Sequence, residues 1–179
     1  MTTDGFRPAQ RILDLANAVR EDPAIDRAGL AAVLAEHGET PADLADFTDA
    51  AARELRAAII RLTEDVLAEP DPDRAARALN AVFEESGARP RLTRHGGRSP
   101  WHLHTDRGDD AGWADWLLAS SALALAQIFT EHGRPAWGEC AAQDCTRLFL
   151  GTGPGAPRRY CSTRCASRTR VAAHRRRQG

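Results

Sequence analysis

Lysine is absent from this chain of 179 residues, and all 24 of its basic residues are arginine. No acid follows Asp144, and no cysteine precedes Cys140. Each absence excludes something. Without lysine, the glycine-rich run Gly151-Thr152-Gly153-Pro154-Gly155 lacks the Lys-Ser/Thr ending of a phosphate-binding loop, and without a strand-to-helix setting it reads as a hairpin tip. No apolar run approaches the ~18 residues of a membrane span, since the longest, Leu117 to Ala126, is interrupted by Ser120 and Ser121. Residues Met1 to Gly5 lack the basic and apolar segments of a signal peptide, so the expected compartment is the cytoplasm, where thiols stay reduced. No nucleophile sits with a partnered base, so no enzyme is expected.

What is present is unevenly placed. The formal charge of −1 hides two opposite halves. Nine arginines and no acid lie between residues 145 and 179, a formal +9, whereas the first 144 residues set fifteen arginines against all 25 acids, a formal −10. A basic end of that density attracts polyanions.

The four cysteines fall in the basic end as two close pairs, Cys140 with Cys145 and Cys161 with Cys165, separated by 15 residues. Each pair can present two soft sulfurs to one tetrahedral ion, so the expectation is one structural Zn²⁺ held by Cys140, Cys145, Cys161 and Cys165, with disulfides as the alternative. Four protein ligands leave no position for water or substrate, so the metal would hold structure rather than catalyse. Zinc binding worth about 10 to 16 kcal/mol in zinc-finger peptides explains how a unit of so few apolar residues can fold. The local reading is a knuckle at Cys140–Cys145, a strand at Leu148-Phe149-Leu150, a return through Arg158-Arg159-Tyr160, and a helix capped by Ser162 whose first turn carries Cys165. That order is treble-clef-like. On the final helix Arg164, Arg168 and Arg175 lie near one face, with Arg170, His174, Arg176 and Arg177 beside or beyond them, while Val171 and Ala172 are expected to pack inward. Arg158 and Arg159 reach the same region.

The first 134 residues read as a helical unit. Pro8 opens a helix with Ile12, Leu15, Ala16 and Val19 on one face. Asp26 caps a second, carrying Leu30, Val33 and Leu34 and ended by Gly38. Thr40-Pro41-Ala42-Asp43 resembles a capping box opening a helical stretch to about Ala68, long enough to favour a break near Thr48. Its buried stripe would be Leu44, Phe47, Ala51, Leu55, Ile59, Leu62 and Val66. Asp71-Pro72 opens the next helix. Arg91-Leu92-Thr93 and Trp101 to His104 then form a short hairpin around Gly96-Gly97, too small to stand without the helices. A central apolar helix runs from Asp110 to about His132, before Gly133-Arg134-Pro135 hands over to the metal module. The fold class is thus mainly α with a small β-hairpin, divided into a helical domain (1–134) and a four-cysteine zinc module (135–179).

Other constellations have ordinary explanations beside functional ones. His102, His104 and Asp106 alternate along a strand and would suit a second metal, or simply face solvent. Asp14, Asn17 and Asn80 would line a small-molecule pocket, or hydrogen-bond neighbouring backbone. The four tryptophans read as core and interface anchors rather than stacking platforms for bases.

On Leu148-Phe149-Leu150-Gly151, Arg158-Arg159-Tyr160-Cys161-Ser162 and Cys165-Ala166-Ser167-Arg168, the chain resembles the CGNR zinc finger family. Ala166-Ser167-Arg168 stands in place of Gly-Asn-Arg, and Gly151 in place of the usual Asp. Leu13-Asp14-Leu15-Ala16-Asn17, Ala78-Leu79-Asn80 and the hairpin near Pro90 to His104 are similar to the ABATE domain that precedes such fingers. The resemblance implies a bacterial, stress-related transcription regulator that binds DNA through the zinc module, and on charge and position the expected contacts to duplex DNA are Arg158, Arg159, Arg164, Arg168, Arg170, Arg175, Arg176 and Arg177. It leaves room for a small-molecule effector and a homodimer. A zinc-dependent module docking an acidic protein surface, including that of its own helical domain, and an RNA binder are the alternatives on charge alone.

Overall fold

The computed structural model describes residues 7–94, 97, 100–105, 107–108, 111–153 and 156–178. Its helices begin where short polar side chains satisfy otherwise unpaired amides. Asp26 accepts from the Gly29 amide at the head of α2 (Arg27–Glu36), Thr48 from Ala51 at α3 (Asp49–Leu62), and Asp71 from Arg74 at α4 (Pro72–Ser86). Before them comes α1 (Arg7–Glu21), and after them α5 (Trp113–His132) and α6 (Thr163–Gln178). Gly87 and Gly133 end α4 and α5 with φ of 60° and 65°, the left-handed region where glycine carries no Cβ penalty.

The expected stretch from Thr40 to Ala68 is three pieces. Thr40 and Asp43 do form the reciprocal box, with the Thr40 amide and hydroxyl donating to Asp43 Oδ2 at 2.8 and 2.6 Å and the Asp43 amide returning to the hydroxyl at 3.2 Å. It opens only a 3₁₀ turn, Asp43–Asp46. The backbone leaves helical geometry at Phe47, which buries its ring 4.9 Å from that of Trp113, and Thr48 then recaps the chain. After α3 the helix widens into a π turn at Thr63–Leu67. The Val66 carbonyl there accepts the indole N–H of Trp137 at 3.1 Å, a contact from the far side of the chain.

The core forms around α5, which packs against α1, α3 and α4. Ile12, Leu15, Leu34, Leu55, Leu62, Leu117 and Leu125 are wholly enclosed in it. Leu44 and Ala51 of the expected stripe are only half-buried. The small hairpin pairs β1 (Arg91–Thr93) with β2 (His102–His104), Leu92 facing Leu103. Trp101 precedes β2 instead of starting it; pairing stops at Thr93–His102, and the ring is 67% exposed rather than an anchor. Asp110, expected at the start of α5, and Gly96 lie outside the described residues. No helix among the described residues is long and apolar enough to cross a membrane.

A second hairpin, β3 (Trp137–Glu139) with β4 (Leu148–Leu150), starts the metal module. Its apolar side belongs to the helical core, because Ala136, Trp137 and Leu148 join the same buried cluster as α1, α3 and α5. Asn17 holds it there. The buried amide donates to the Leu148 carbonyl at 3.0 Å and accepts from the Leu148 amide at 2.8 Å, mimicking a neighbouring strand. One turn on, Arg20 donates to the Thr146 carbonyl at 2.8 Å and pairs with Glu139 at 2.6 Å. Asn17→Ala would leave a buried N–H and C=O without partners, and a loss of about 2 to 4 kcal/mol is expected. Denaturant unfolding of the variant checks it; wild-type stability would show that Asn17 does not clamp the hairpin.

Candidate metal centre

The knuckle begins as β3 ends. The Cys140 amide donates to the Arg147 carbonyl at 2.9 Å and the Cys145 amide to Ala142 at 3.2 Å, closing a tight loop. Asp144 takes φ of 60°, a left-handed conformation that aspartate tolerates better than most residues. From β4 the chain returns through Arg158 and Arg159, and the Ala141 amide donates to the Arg159 carbonyl at 2.7 Å, tying the return to the knuckle. Ser162 caps α6 as expected: its hydroxyl accepts the Cys165 amide at 3.2 Å and its carbonyl the Ala166 amide at 3.1 Å. Cys165 therefore sits at the helix N-terminus, where aligned amides favour a negative sulfur.

These turns bring all four expected ligands together. Their sulfurs lie within 4.8 Å of one another. The Cys145–Cys161, Cys161–Cys165 and Cys165–Cys145 separations are 3.8, 3.6 and 3.8 Å. Zinc–sulfur bonds of about 2.3 Å in a tetrahedron place the sulfurs about 3.8 Å apart, whereas a disulfide requires about 2.05 Å. The cysteines are free. The cluster thus has zinc dimensions and not disulfide dimensions, and its donor set is that of one structural Zn²⁺.

Proton energetics point the same way. Burial pushes the Cys140 thiol up, but hydrogen bonds from the Cys161 and Ala142 amides and from the neighbouring thiols outweigh it and bring it down to about 7. Cys161 is pushed up to about 12, by burial and then by proton sharing with the other three sulfurs. Crowded sulfurs cannot all ionise without a cation among them. A guanidinium offsets part of the remaining charge: Arg168 Nη2 lies 3.9 Å from Cys165 Sγ while donating to the Gln143 carbonyl at 3.3 Å.

A groove of about 560 Å³ runs beside the cluster. Arg147, Arg158, Arg164 and Arg168 line it, with Asp14 and Asn17 of α1 opposite. Arg158 also has structural bonds, donating to the Cys161 carbonyl at 2.9 Å and the Leu150 carbonyl at 3.4 Å with its guanidinium 5.5 Å from the Phe149 ring. Arg159 lies 5.8 Å from the Tyr160 ring, and Arg170 donates to Ser167. Arg164, Arg175, Arg176 and Arg177 are exposed and have no hydrogen-bond or ion-pair partner among the described residues. Val171 does not pack inward. It is 50% exposed, because Cys165 is the only buried residue of α6 and no apolar surface covers the following turns.

Of the expected pocket set, Asp14 and Asn17 share the groove beside the cluster, but Asn17 is spent on Leu148 and Asp14 pairs with His37 at 3.0 Å and accepts from Gln10, while Asn80 lies on the exposed face of α4 and does not line it. Asp106 and the tip residues Pro154 and Gly155 lie outside the described residues. Among those described, the four cysteines are the one cluster able to hold a metal. What the sequence reading missed is on α1: Arg20, which staples the module, and Arg11, buried at 7% exposure. The available signal for Arg11 was its position one turn before Leu15, inside the apolar stripe.

Metal analysis is expected to give one zinc per chain. A strong chelator should abolish amide-exchange protection in α6 and the Arg158–Cys161 return while α1 to α5 stay protected. Protection of α6 surviving full zinc removal would contradict a metal-built module.

Comparison with known families agrees with this geometry. The family profile described as "Putative stress-induced transcription regulator", ABATE, matches residues 9–132, and that of the CGNR zinc finger matches residues 137–178. No curated protein matches the chain. Because the first match spans well over half of the chain and the second carries all four clustered cysteines, the chain belongs to the ABATE family and carries a CGNR zinc finger after its helical unit.

Proposed function

We propose that the zinc module is a duplex-DNA-binding element of a cytoplasmic transcription regulator, with the helical domain in a non-catalytic sensing or dimerising role. The observation that carries this reading is electrostatic. Of the eight arginines from Arg158 onward, none forms an ion pair among the described residues, although the helical domain holds most of the acids of the chain. Guanidinium groups left unopposed in this way can bind phosphate bidentately or read guanine edges.

The eight divide by their present engagement. Arg158 and Arg168 donate to backbone carbonyls and hold the return and the knuckle in place. Arg164, Arg175, Arg176 and Arg177 are exposed along α6, which supports them as phosphate contacts, and Arg159 and Arg170 can add to these. The ion pairs between the two parts of the chain, Arg20 with Glu139 and Arg147 with Glu21, lie at the hairpin and leave α6 unmasked, which disfavours docking of the arm in cis. An acidic partner protein remains the second reading, favoured by the same charge, and RNA the third.

If about six phosphates are contacted, log affinity should fall against log salt with a slope near −5. Fluorescence anisotropy of a labelled duplex from low to moderate salt measures this. Replacing Arg164, Arg175 and Arg176 together with alanine should make the slope shallower by about 3 and leave zinc content unchanged. Zinc-loaded protein that ignores duplex at low salt, or prefers folded RNA in competition, overturns the DNA reading.

A further inference from the structure

Arg11 is an unusual residue to find in a helical core. Its side chain is enclosed between α1 and α5, with the guanidinium 4.0 Å from the centre of the Trp116 ring and Nη2 donating to Ser120 Oγ at 2.7 Å. Its Nε is buried with no hydrogen-bond partner. The nearest acid, Glu39, stands 3.7 Å from Nη1, beyond a good hydrogen bond. Burial lowers Arg11 to about 10, with Glu39 acting against that shift, so the group stays charged at neutral pH. A buried cation whose counterion stands beyond hydrogen-bond distance is a costly arrangement unless something completes it.

Arg11 lines a cavity of about 330 Å³ that also meets Glu39, Trp116, Ser120, Leu103 and Leu123. That is the small end of the range of about 300 to 1,000 Å³ typical of ligand sites. One wall is apolar, from Leu103, Leu123, Ala124 and Trp116, and His102 and His104 of β2 border it.

We propose that this cavity is an effector site for a small organic monocarboxylate with an apolar body, its carboxylate taken by Arg11 and its body by the leucine-lined wall. Arg11 carries one positive charge and burial pushes the Glu39 carboxyl above its ordinary range, so the site suits one negative charge and not the two of a phosphate monoester. The assignment deepens the sensing role given above to the helical domain, and it names where a signal would enter. Arg11 lies on the same helix as Asn17, six residues and about 9 Å along the axis, so an anion drawing on Arg11 acts on the element that clamps the metal module.

Calorimetric titration of the zinc-loaded full chain with hexanoate and benzoate, each against its uncharged amide, tests the site without DNA. Its outcome is therefore independent of whether the metal module binds duplex. Saturable binding of an acid at millimolar concentration or below, at least about 10-fold tighter than the amide, is expected. Arg11→Gln should weaken the acid about 10- to 100-fold with zinc content unchanged. Leu123→Trp, at a half-buried position, keeps the arginine but fills the cavity and should abolish binding, which preserves the test if Arg11→Gln fails to fold. Equal binding of acid and amide, no binding of either acid, or undiminished binding by Leu123→Trp would overturn the proposal.

Discussion

Four sulfurs within 4.8 Å of one another are the constraint on which the C-terminal part of this protein depends. Beyond the β3–β4 hairpin, the module's own buried cluster is Cys140, Ala142 and Cys165, with Cys145, Tyr160 and Cys161 packed against it. Six side chains, four of them ligands, cannot offset the conformational entropy of ordering the knuckle, the return and the start of α6. The metal does so. Because Cys165 sits in the first turn of α6, the same coordination that closes the knuckle also fixes where the helix begins and in which direction its arginines project. Structure and electrostatics are thus coupled at a single atom.

The helical domain contributes position. α1 carries three polar residues that a purely apolar packing helix would lack, and each addresses a different neighbour. Arg11 turns to α5 and the cavity beside it, Asn17 to the backbone of β4, and Arg20 to the Thr146 carbonyl and Glu139. Polar contacts of this kind add little net stability when satisfied, but they specify one docking geometry, since any slip leaves them unpaired. The β3–β4 hairpin is therefore held in register on the helical core, and the metal module cannot swing freely about the end of α5. The family matches divide the chain between residues 132 and 137, yet in packing the two strands of the metal module complete the core of the other unit.

The parts legible in the sequence were those set by short-range rules. Asp26, Asp71 and Ser162 announced helix starts because a capping side chain needs only the next three residues to act. The cysteine spacing announced the metal cluster for a similar reason, each pair being closed by a local turn. Features that depend on residues far apart were not legible. The 3₁₀ turn at Asp43–Asp46 exists because Phe47 is drawn to Trp113, more than sixty residues away, and the π turn at Thr63–Leu67 offers a carbonyl to Trp137. Asn17 fulfils the structural alternative given for it, hydrogen-bonding backbone, but the strand it holds lies 131 residues away. Arg11 was not singled out because its burial is created by α5, and Val171 looked buried because its periodicity is helical although nothing covers it.

The most direct test of the central claim is X-ray absorption at the zinc edge of the purified protein. The account requires a first shell of four sulfurs at about 2.3 Å, with no nitrogen or oxygen scatterer. A shell with three or fewer sulfurs completed by water or histidine, or the absence of zinc from protein whose cysteines are oxidised to disulfides, would contradict it.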